Sequence, residues 1–172
     1  RRKIASHLGG IAKMKKYGPP GTPEGRRKGG IISQKKMTAL GNEKFIVRKK
    51  IVIPKLSVEL AELVGILLGD GHIDRFQIEI SLDLKGDVDY AHYINTLLLK
   101  LFETRVRIKE RPERGTISLF IDRINIIDFL QKIGLQKGNK IKNHATIPNW
   151  ILKNPKYMNA CIRGLVDTDG CF

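Results

Sequence analysis

Apolar positions along the first half of the chain change their spacing twice, and each spacing predicts a different element. Residues 58–68 are apolar nearly all round a helix that has Ser57 as its predicted N-cap, so this helix is expected to be buried. Residues 75–83 alternate, with apolar Phe76, Ile78, Ile80 and Leu82 between polar neighbours, which predicts a strand with one polar face. Helical spacing returns over residues 91–101, with Asp87 or Asp89 as the N-cap.

The second half of the chain continues this mixed pattern. Residues 105–111 alternate again, and residues 116–121 form a second apolar run after a turn that contains Pro112 and Gly115, so the two runs predict a hairpin. Asp122 or Asn125 is expected to start a further helix that ends at Gly134. A short turn at residues 147–152 leads to a last apolar helix. The predicted class is therefore α+β.

The two buried helices carry the same nine-residue pattern. LVGILLGDG ends in Asp70-Gly71 and IRGLVDTDG ends in Asp169-Gly170, 99 residues further on. Small residues recur every four positions along both helices, which predicts that the two backbones pack closely. If they do, the carboxylates of Asp70 and Asp169 meet at the C-termini of the two helices. The negative end of each helix dipole and the repulsion between the two carboxylates both disfavour their charged forms there. A divalent cation would offset both effects. The expected interface residues are Gly65, Gly69, Ala160, Gly164 and Thr168.

On these two motifs the chain resembles the LAGLIDADG homing endonucleases of the two-motif, single-chain type. The resemblance implies an α-β-β-α-β-β-α half-domain with a DNA-binding β-saddle. It implies hydrolysis of double-stranded DNA with Mg²⁺ or Mn²⁺ held by Asp70 and Asp169, which are the expected catalytic residues. Asp167 matches the motif's other acid, which is not a metal ligand. A lysine usually assists in this family, and Lys140 is the first choice, with Lys142 second.

Three segments are expected from the motif positions. Residues 1–56 form a basic, Gly- and Pro-rich extension, residues 57–153 a first half-domain, and residues 154–172 the motif helix of a second half-domain. Asn154 is its expected N-cap, and Pro155 falls in its first turn. The sequence looks like a fragment that ends just after the second motif, so we expect it to be inactive alone and part of the apolar surface of that helix to be exposed. The complete protein is expected to be a monomer with an internal pseudo-twofold axis.

Charge is concentrated in the extension. The chain carries a net charge of +15, and residues 1–56 hold 16 of its 32 Lys and Arg residues against two acidic ones. The extension shows neither helical nor strand periodicity and has too few apolar residues for a core of its own. It is expected either to lie along DNA phosphates or in the minor groove, folding on contact with DNA, or to be a solvated tail. The expected contacts there are Arg26, Arg27 and Lys28.

A second cationic surface is expected on the sheet. Four cations alternate along the strand at residues 105–111, and their guanidinium and ammonium groups suit guanine edges in the major groove. The alternative is protection of an edge strand by charge. The expected contacts are Arg105, Arg107, Lys109 and Arg111, with Arg75 and Gln77 from the preceding strand.

Several other classes are excluded or kept as alternatives. The residues after Asp169 do not fit a calcium loop, the two cysteines form no CxxC pair, and the four histidines are scattered. No apolar run is long enough for a membrane span, so no membrane partner is expected. No small-molecule substrate is expected either. The expected location is cytoplasmic and nucleoid-associated. The alternative function is a non-cleaving nucleic-acid binder on the same scaffold, either a transcription regulator or an intron RNA maturase.

Overall fold

A computed structural model describes residues 7–9, 11–12, 15, 21–40 and 51–169, with only the backbone described at Asp169. The chain divides into two compact units, Arg1–Val47 and Arg48–Phe172. The first contains helix α1, Pro23–Ala39. Thr22 caps it, because its hydroxyl accepts from the amide of Gly25 at 3.1 Å, and Pro23 fits the first turn. No residue of α1 is buried, and this helix was not predicted.

The second unit begins with the buried helix. Helix α2 runs Val58–Leu68, and Ser57 caps it by accepting from the amide of Leu60 at 3.2 Å, as predicted. Every residue from Leu60 to Leu67 is buried. The helix is therefore enclosed on all sides, as its nearly continuous apolar surface requires.

A four-stranded antiparallel sheet follows, in the order β1-β2-β4-β3. Its strands are β1 Gly71–Ile73, β2 Ile78–Asp83, β3 Arg107–Arg111 and β4 Thr116–Ile121. The other helices are α3 Val88–Phe102, α4 Ile124–Lys132, α5 Asn149–Leu152 and α6 Pro155–Asp169. The α+β class, the hairpin and the α-β-β-α-β-β-α order from α2 to α4 agree with the prediction.

The core lies between the helices and one face of the sheet. Alternate strand residues such as Ile78, Ile80 and Leu119 point into it and are fully buried. In α3 the predicted apolar stripe, with Ala91, Ile94, Leu97, Leu98 and Leu101, is buried against them. The apolar residues that recur every two positions in the strands and about every 3.6 positions in the helices therefore face the same core.

Three local predictions are wrong. Strand β2 begins at Ile78, so Phe76 lies outside it and is 58% exposed. Strand β3 begins at Arg107, so Arg105 precedes it. Helix α4 begins after Arg123, which leaves neither Asp122 nor Asn125 as its N-cap, and the Asp122 carboxylate instead accepts hydrogen bonds from side chains of the sheet.

Helices α2 and α6 cross at two glycines. A Cβ on Gly65 would overlap the carbonyl oxygen of Cys161 and lie 3.0 Å from the amide nitrogen of Leu165. A Cβ on Gly164 would overlap the carbonyl oxygen of Glu62 and lie 3.0 Å from the amide nitrogen of Ile66. Both sets of contacts are related by the 99-residue offset of the two motifs. The crossing therefore has local twofold pseudosymmetry.

The two helices run in the same direction. Near the start of α6, the hydroxyl of Tyr157 donates to the carbonyl oxygen of Leu56, just before α2, at 3.1 Å. Further along, Arg163 of α6 bonds to Glu62 of α2. Because the contacts advance together along both helices, their C-terminal ends lie at the same end of the pair.

The glycine crossing gives a stability prediction. We expect Gly65→Ala and Gly164→Ala each to lower the free energy of unfolding by about 1–3 kcal/mol, because the new methyl group meets backbone that cannot rotate away. This holds although alanine gains about 1 kcal/mol of helix propensity over glycine. Chemical denaturation measures the change. Gly86→Ala is the matched control, since its Cβ would meet only the Asp83 carboxylate, at 3.5 Å; equal effects at all three positions would contradict the prediction.

Candidate functional site

Lys140 lies at the C-terminal end of α2, next to Asp70. Its ammonium group donates to the carbonyl oxygen of Leu68 at 2.8 Å and to that of Gly69. These carbonyls carry the negative end of the helix dipole, so a cation is favourable there. Asp70 follows directly and is half-buried. The structure therefore brings together the lysine and one aspartate of the predicted site, whereas Lys142 is exposed and its backbone amide donates to Asn139.

The second predicted aspartate is described only in part. Helix α6 extends to Asp169, whose side chain lies outside the described residues. Because α2 and α6 run in the same direction, their last turns lie at the same end of the pair, where the sequence placed both acids. The pairing of the two carboxylates stays a prediction.

The chemistry of this end suits a hard cation. Carboxylate oxygen is the ligand type that Mg²⁺ and Mn²⁺ prefer, and Asp70 offers it from the end of a buried helix. Among the described residues, no group of three or more His, Cys, Asp or Glu side chains forms a metal cluster. Asp167 is exposed, and its charge acts on Tyr90 and Tyr93.

The remaining predicted interface residues have different surroundings. Ala160 is buried beside Cys161, which faces Gly65 at the crossing. Gly69 is buried at the C-cap of α2, and its amide donates to the carbonyl of Gly65 at 3.0 Å. The hydroxyl of Thr168 donates back to carbonyl oxygens of its own helix. Cys161 was not predicted as an interface residue. Its close contact with Gly65 is made by its backbone carbonyl oxygen, and a pattern of side chains does not reveal backbone contacts.

Cations and carboxylates share the polar face of the sheet. Arg107, Lys109 and Arg111 pair in register with Phe120, Ser118 and Thr116 of β4, which in turn pair with Glu79, Ser81 and Asp83 of β2. Residues paired across neighbouring strands stand on the same face, so these nine side chains form one surface. The shared face of three predicted cations is confirmed. The sequence reading did not anticipate that carboxylates accompany them.

Two of the three arginine and lysine side chains on β3 are held by neighbours. Arg107 lies 4.5 Å from the centroid of the Phe120 ring and donates to Asp122 at 3.3 Å. Arg111 lies 5.7 Å from the same ring and 3.6 Å from a carboxylate oxygen of Glu79. Lys109 is exposed, and its ammonium group makes no hydrogen bond or ion pair with any residue that the structure describes. The face therefore presents two oriented guanidinium groups with an ammonium group between them.

Asp122 connects the polar residues at one end of this face. Its carboxylate accepts from the side-chain amide of Gln77, just before β2, and from Arg107 on β3. The strand order places β4, which Asp122 follows, between β2 and β3. Two predicted contact residues, one just before β2 and one on β3, are thereby bonded to one carboxylate.

The other predicted contact residues are exposed. Arg75 lies in the turn between β1 and β2, with its guanidinium 5.0 Å from the centroid of the exposed Phe76 ring. Arg105 is exposed in the segment before β3. In the first unit, Arg26, Arg27 and Lys28 are consecutive exposed residues of α1.

Glu62 is a buried acid that sequence reasoning missed. It is 3% exposed within α2, and Arg163 of α6 reaches its carboxylate at 3.2 Å through Nε and at 2.5 Å through Nη2. The hydroxyl of Tyr93 on α3 donates to it at 2.7 Å. Burial, with this hydrogen bond, raises the pKa of Tyr93 to about 12. The spacing of apolar residues did not indicate that Glu62 is buried, because a single acidic residue in an apolar helix is expected to lie on a narrow exposed edge.

The comparisons with known proteins give partial similarities. The chain is 31% identical over 115 residues to the replication factor C small subunit of Methanocaldococcus jannaschii, which is 65% of this chain and 6% of that protein. It is 31% identical over 121 residues to an A-type ATP synthase subunit of Pyrococcus horikoshii, 67% of this chain and 12% of that protein. A third match, 26% over 131 residues, is to the tRNA-splicing ligase RtcB of Pyrococcus furiosus, 68% of this chain and 13% of that protein.

The chain thus spans 6–13% of the length of these curated relatives. No family model matches it. In the part of the chain that the structure describes, no helix has both the length and the apolar composition needed to cross a membrane.

Proposed function

We propose that this chain is part of a LAGLIDADG-type homing endonuclease, a site-specific enzyme that hydrolyses both strands of DNA. The observation that carries the proposal is the crossing of the two motif helices. Gly65 and Gly164 make equivalent contacts 99 residues apart, and both helices run toward the motif aspartates. Two antiparallel DNA strands are themselves related by a twofold axis, so two equivalent acidic groups related by such an axis suit cleavage of both strands.

The partial similarities support a mobile element as the origin of the chain. By name, the three relatives are part of a replication factor, part of an ATP synthase and a tRNA-splicing ligase. One segment that recurs as a small fraction of proteins with such different names is not tied to any one of their activities. A mobile insertion, such as an intein that carries its own endonuclease, would have this distribution.

The proposed chemistry assigns separate tasks to the residues at the ends of α2 and α6. Asp70 and Asp169 would hold Mg²⁺ or Mn²⁺, which when bound stabilises charge on the scissile phosphate and lowers the pKa of a water. Lys140 keeps a positive charge beside Asp70, anchored on the carbonyls of Leu68 and Gly69. This anchoring limits the freedom of the lysine, so its charge is preorganised toward a phosphate at that end.

DNA binding is divided between two surfaces in the proposal. The polar face of the sheet carries cations and carboxylates in similar number, which suits reading of base edges better than general attraction to phosphate. The basic extension, with α1, supplies the general attraction. Charged side chains on β3 also protect a sheet edge, since β3 is an edge strand. The two roles are compatible.

The first test removes one proposed metal ligand. Asp70→Asn in the complete protein should abolish cleavage of the target and leave DNA affinity unchanged or higher, because the amide lacks the charge that binds the metal and repels phosphate. Cleavage with Mg²⁺ and binding in its absence are measured in parallel. Asp74→Asn removes the same charge from an exposed turn and should cleave normally. Binding without cleavage by the unmodified protein would favour the non-cleaving alternative.

The second test concerns the basic extension. Replacing Arg26, Arg27 and Lys28 by Gln should weaken binding to all duplex sequences. The slope of log affinity against log salt should fall by up to about 0.9 for each lost phosphate contact. Fluorescence anisotropy over a salt series measures both effects. The control replaces three exposed lysines of the second unit, Lys132, Lys153 and Lys156, by Gln; an equal effect there would show that only net charge matters.

The third test asks whether the sheet face reads sequence. Arg107→Ala should relax base preference at one or two positions, each worth about 1–3 kcal/mol if the lost contact is bidentate. Selection of preferred sites from a random DNA pool measures this directly. Arg114→Ala, in the turn of the same hairpin, serves as the control. A uniform loss of affinity with an unchanged preferred site would mean that Arg107 contacts phosphate only.

A further inference from the structure

Glu62 stands where a charged group is costly. Its carboxylate is buried at the crossing of α2 and α6, among residues that are nearly all apolar. Transfer of a carboxylate from water to such a place is unfavourable unless its oxygens are fully hydrogen-bonded and its charge is paired. Two nitrogens of Arg163 and the hydroxyl of Tyr93 provide that compensation. One side chain therefore joins three helices.

The surroundings extend this arrangement on α3. Tyr90 stacks on Tyr93 with ring centroids 5.9 Å apart, and its buried hydroxyl has no hydrogen-bond partner among the described residues. Burial raises the pKa of Tyr90, and the charges of Asp167 and Glu62 add to this effect. The partners are asymmetric, since the side chain of Arg163 is 56% exposed and that of Glu62 is 4% exposed. Loss of Glu62 leaves a solvated arginine, whereas loss of Arg163 leaves a buried carboxylate without its counter-ion.

Packing alone specifies the helix register weakly. The small residues of both motifs repeat every four positions, at Gly65 and Gly69 and at Ala160, Gly164 and Thr168. A slide of one helix along the other by four residues, roughly 6 Å, would place Ala160 or Thr168 where Gly164 now lies, so packing opposes it by the cost of a small side chain at the crossing, which for alanine is the cost expected of Gly164→Ala. Apolar contacts are not directional, so they distinguish poorly between such registers. A buried ion pair does distinguish them, because a slide of this size separates its partners.

We propose that Glu62, through Arg163 and Tyr93, fixes the register of α2 against α6 and thereby positions Asp70 relative to Asp169. The first part concerns the helix pair alone, and the second rests on the function proposed above. Glu62 touches neither metal nor DNA in this proposal, so it is a positioning residue. Its contribution is to select one register of α2 against α6 rather than to raise the free energy of unfolding.

The test compares two ways of removing the charge. Glu62→Gln keeps an oxygen that can accept from Tyr93 and Arg163, whereas Glu62→Met together with Arg163→Met replaces the ion pair by apolar side chains of similar length. Spin labels on cysteines introduced at Val58 and Asn159, both exposed, report the distance between α2 and α6 by pulsed electron paramagnetic resonance. Cys171→Ser removes one native thiol, and Cys161 is fully buried. Thermal unfolding is measured on the same samples, prepared from the full chain.

We expect Glu62→Gln to keep a single narrow distance and a melting temperature near that of the parent. The double variant should melt within a few degrees of the parent, since apolar replacements of buried ion pairs are often neutral or stabilising. Its distance distribution should nevertheless broaden or shift by several ångströms, and cleavage by the complete protein should fall at least tenfold. Arg163→Met alone should melt lower by about 10 °C, because the Glu62 charge then stays buried.

An unchanged distance distribution overturns the proposal. A single, parent-like distance in the double variant would show that packing alone fixes the register. If the double variant does not fold, Arg163→Lys decides the question, since lysine keeps the charge but not the two parallel hydrogen bonds. It should broaden the distribution, and an unchanged one overturns the proposal. Absence of cleavage by the parent protein would count against the proposed function and leave the distance measurement valid.

Discussion

The close approach of α2 and α6 is the constraint on which the rest of the second unit depends. At Gly65 and Gly164 there is no room for a side chain, because the backbone of the opposite helix occupies that space. The contact brings residues about 100 positions apart together and gives both motifs the same surroundings at the crossing. Helix α3 and strand β1 also pack against α2, and all of its residues from Leu60 to Leu67 are buried in the core, so the buried helix serves as the centre of the unit.

Spacing of apolar residues was enough to predict much of this fold. Strand β2, the hairpin of β3 and β4, and the stripes of α2 and α3 follow from periods that select one buried face, and the structure buries the faces so selected. Strand β1 was not predicted, because its three residues are too few to show a period. Helix α1 was missed because none of its residues is buried, and it lacks an apolar stripe that spacing could reveal. The N-cap of α4 was misplaced because Asp122, a good capping residue by type, bonds to Gln77 and Arg107 instead.

The candidate site was predictable only in part, for a similar reason. The repeated motif predicted Asp70, and the position of Lys140 in the chain made it the first choice for the lysine. The structure places Lys140 at the end of the helix that Asp70 follows. Glu62 could not be found in this way. Its burial depends on Arg163 and Tyr93, which lie on two other helices and far away in sequence. Hydrogen-bond partners that only the tertiary fold brings together leave no local pattern in the sequence.

The distribution of charge separates two tasks that a site-specific DNA-binding protein must perform. On the sheet, Arg107 and Arg111 are already paired with Asp122 and Glu79, so their attraction to a general phosphate is weakened. The same carboxylates and the Phe120 ring hold both guanidinium groups in fixed directions, which lowers the entropy lost when they meet a base edge. Residues 1–56, with 16 cations and two acids, have the opposite character. In the proposed function, affinity therefore comes mainly from the extension, and discrimination between sequences comes from a sheet face whose charges are balanced within the fold.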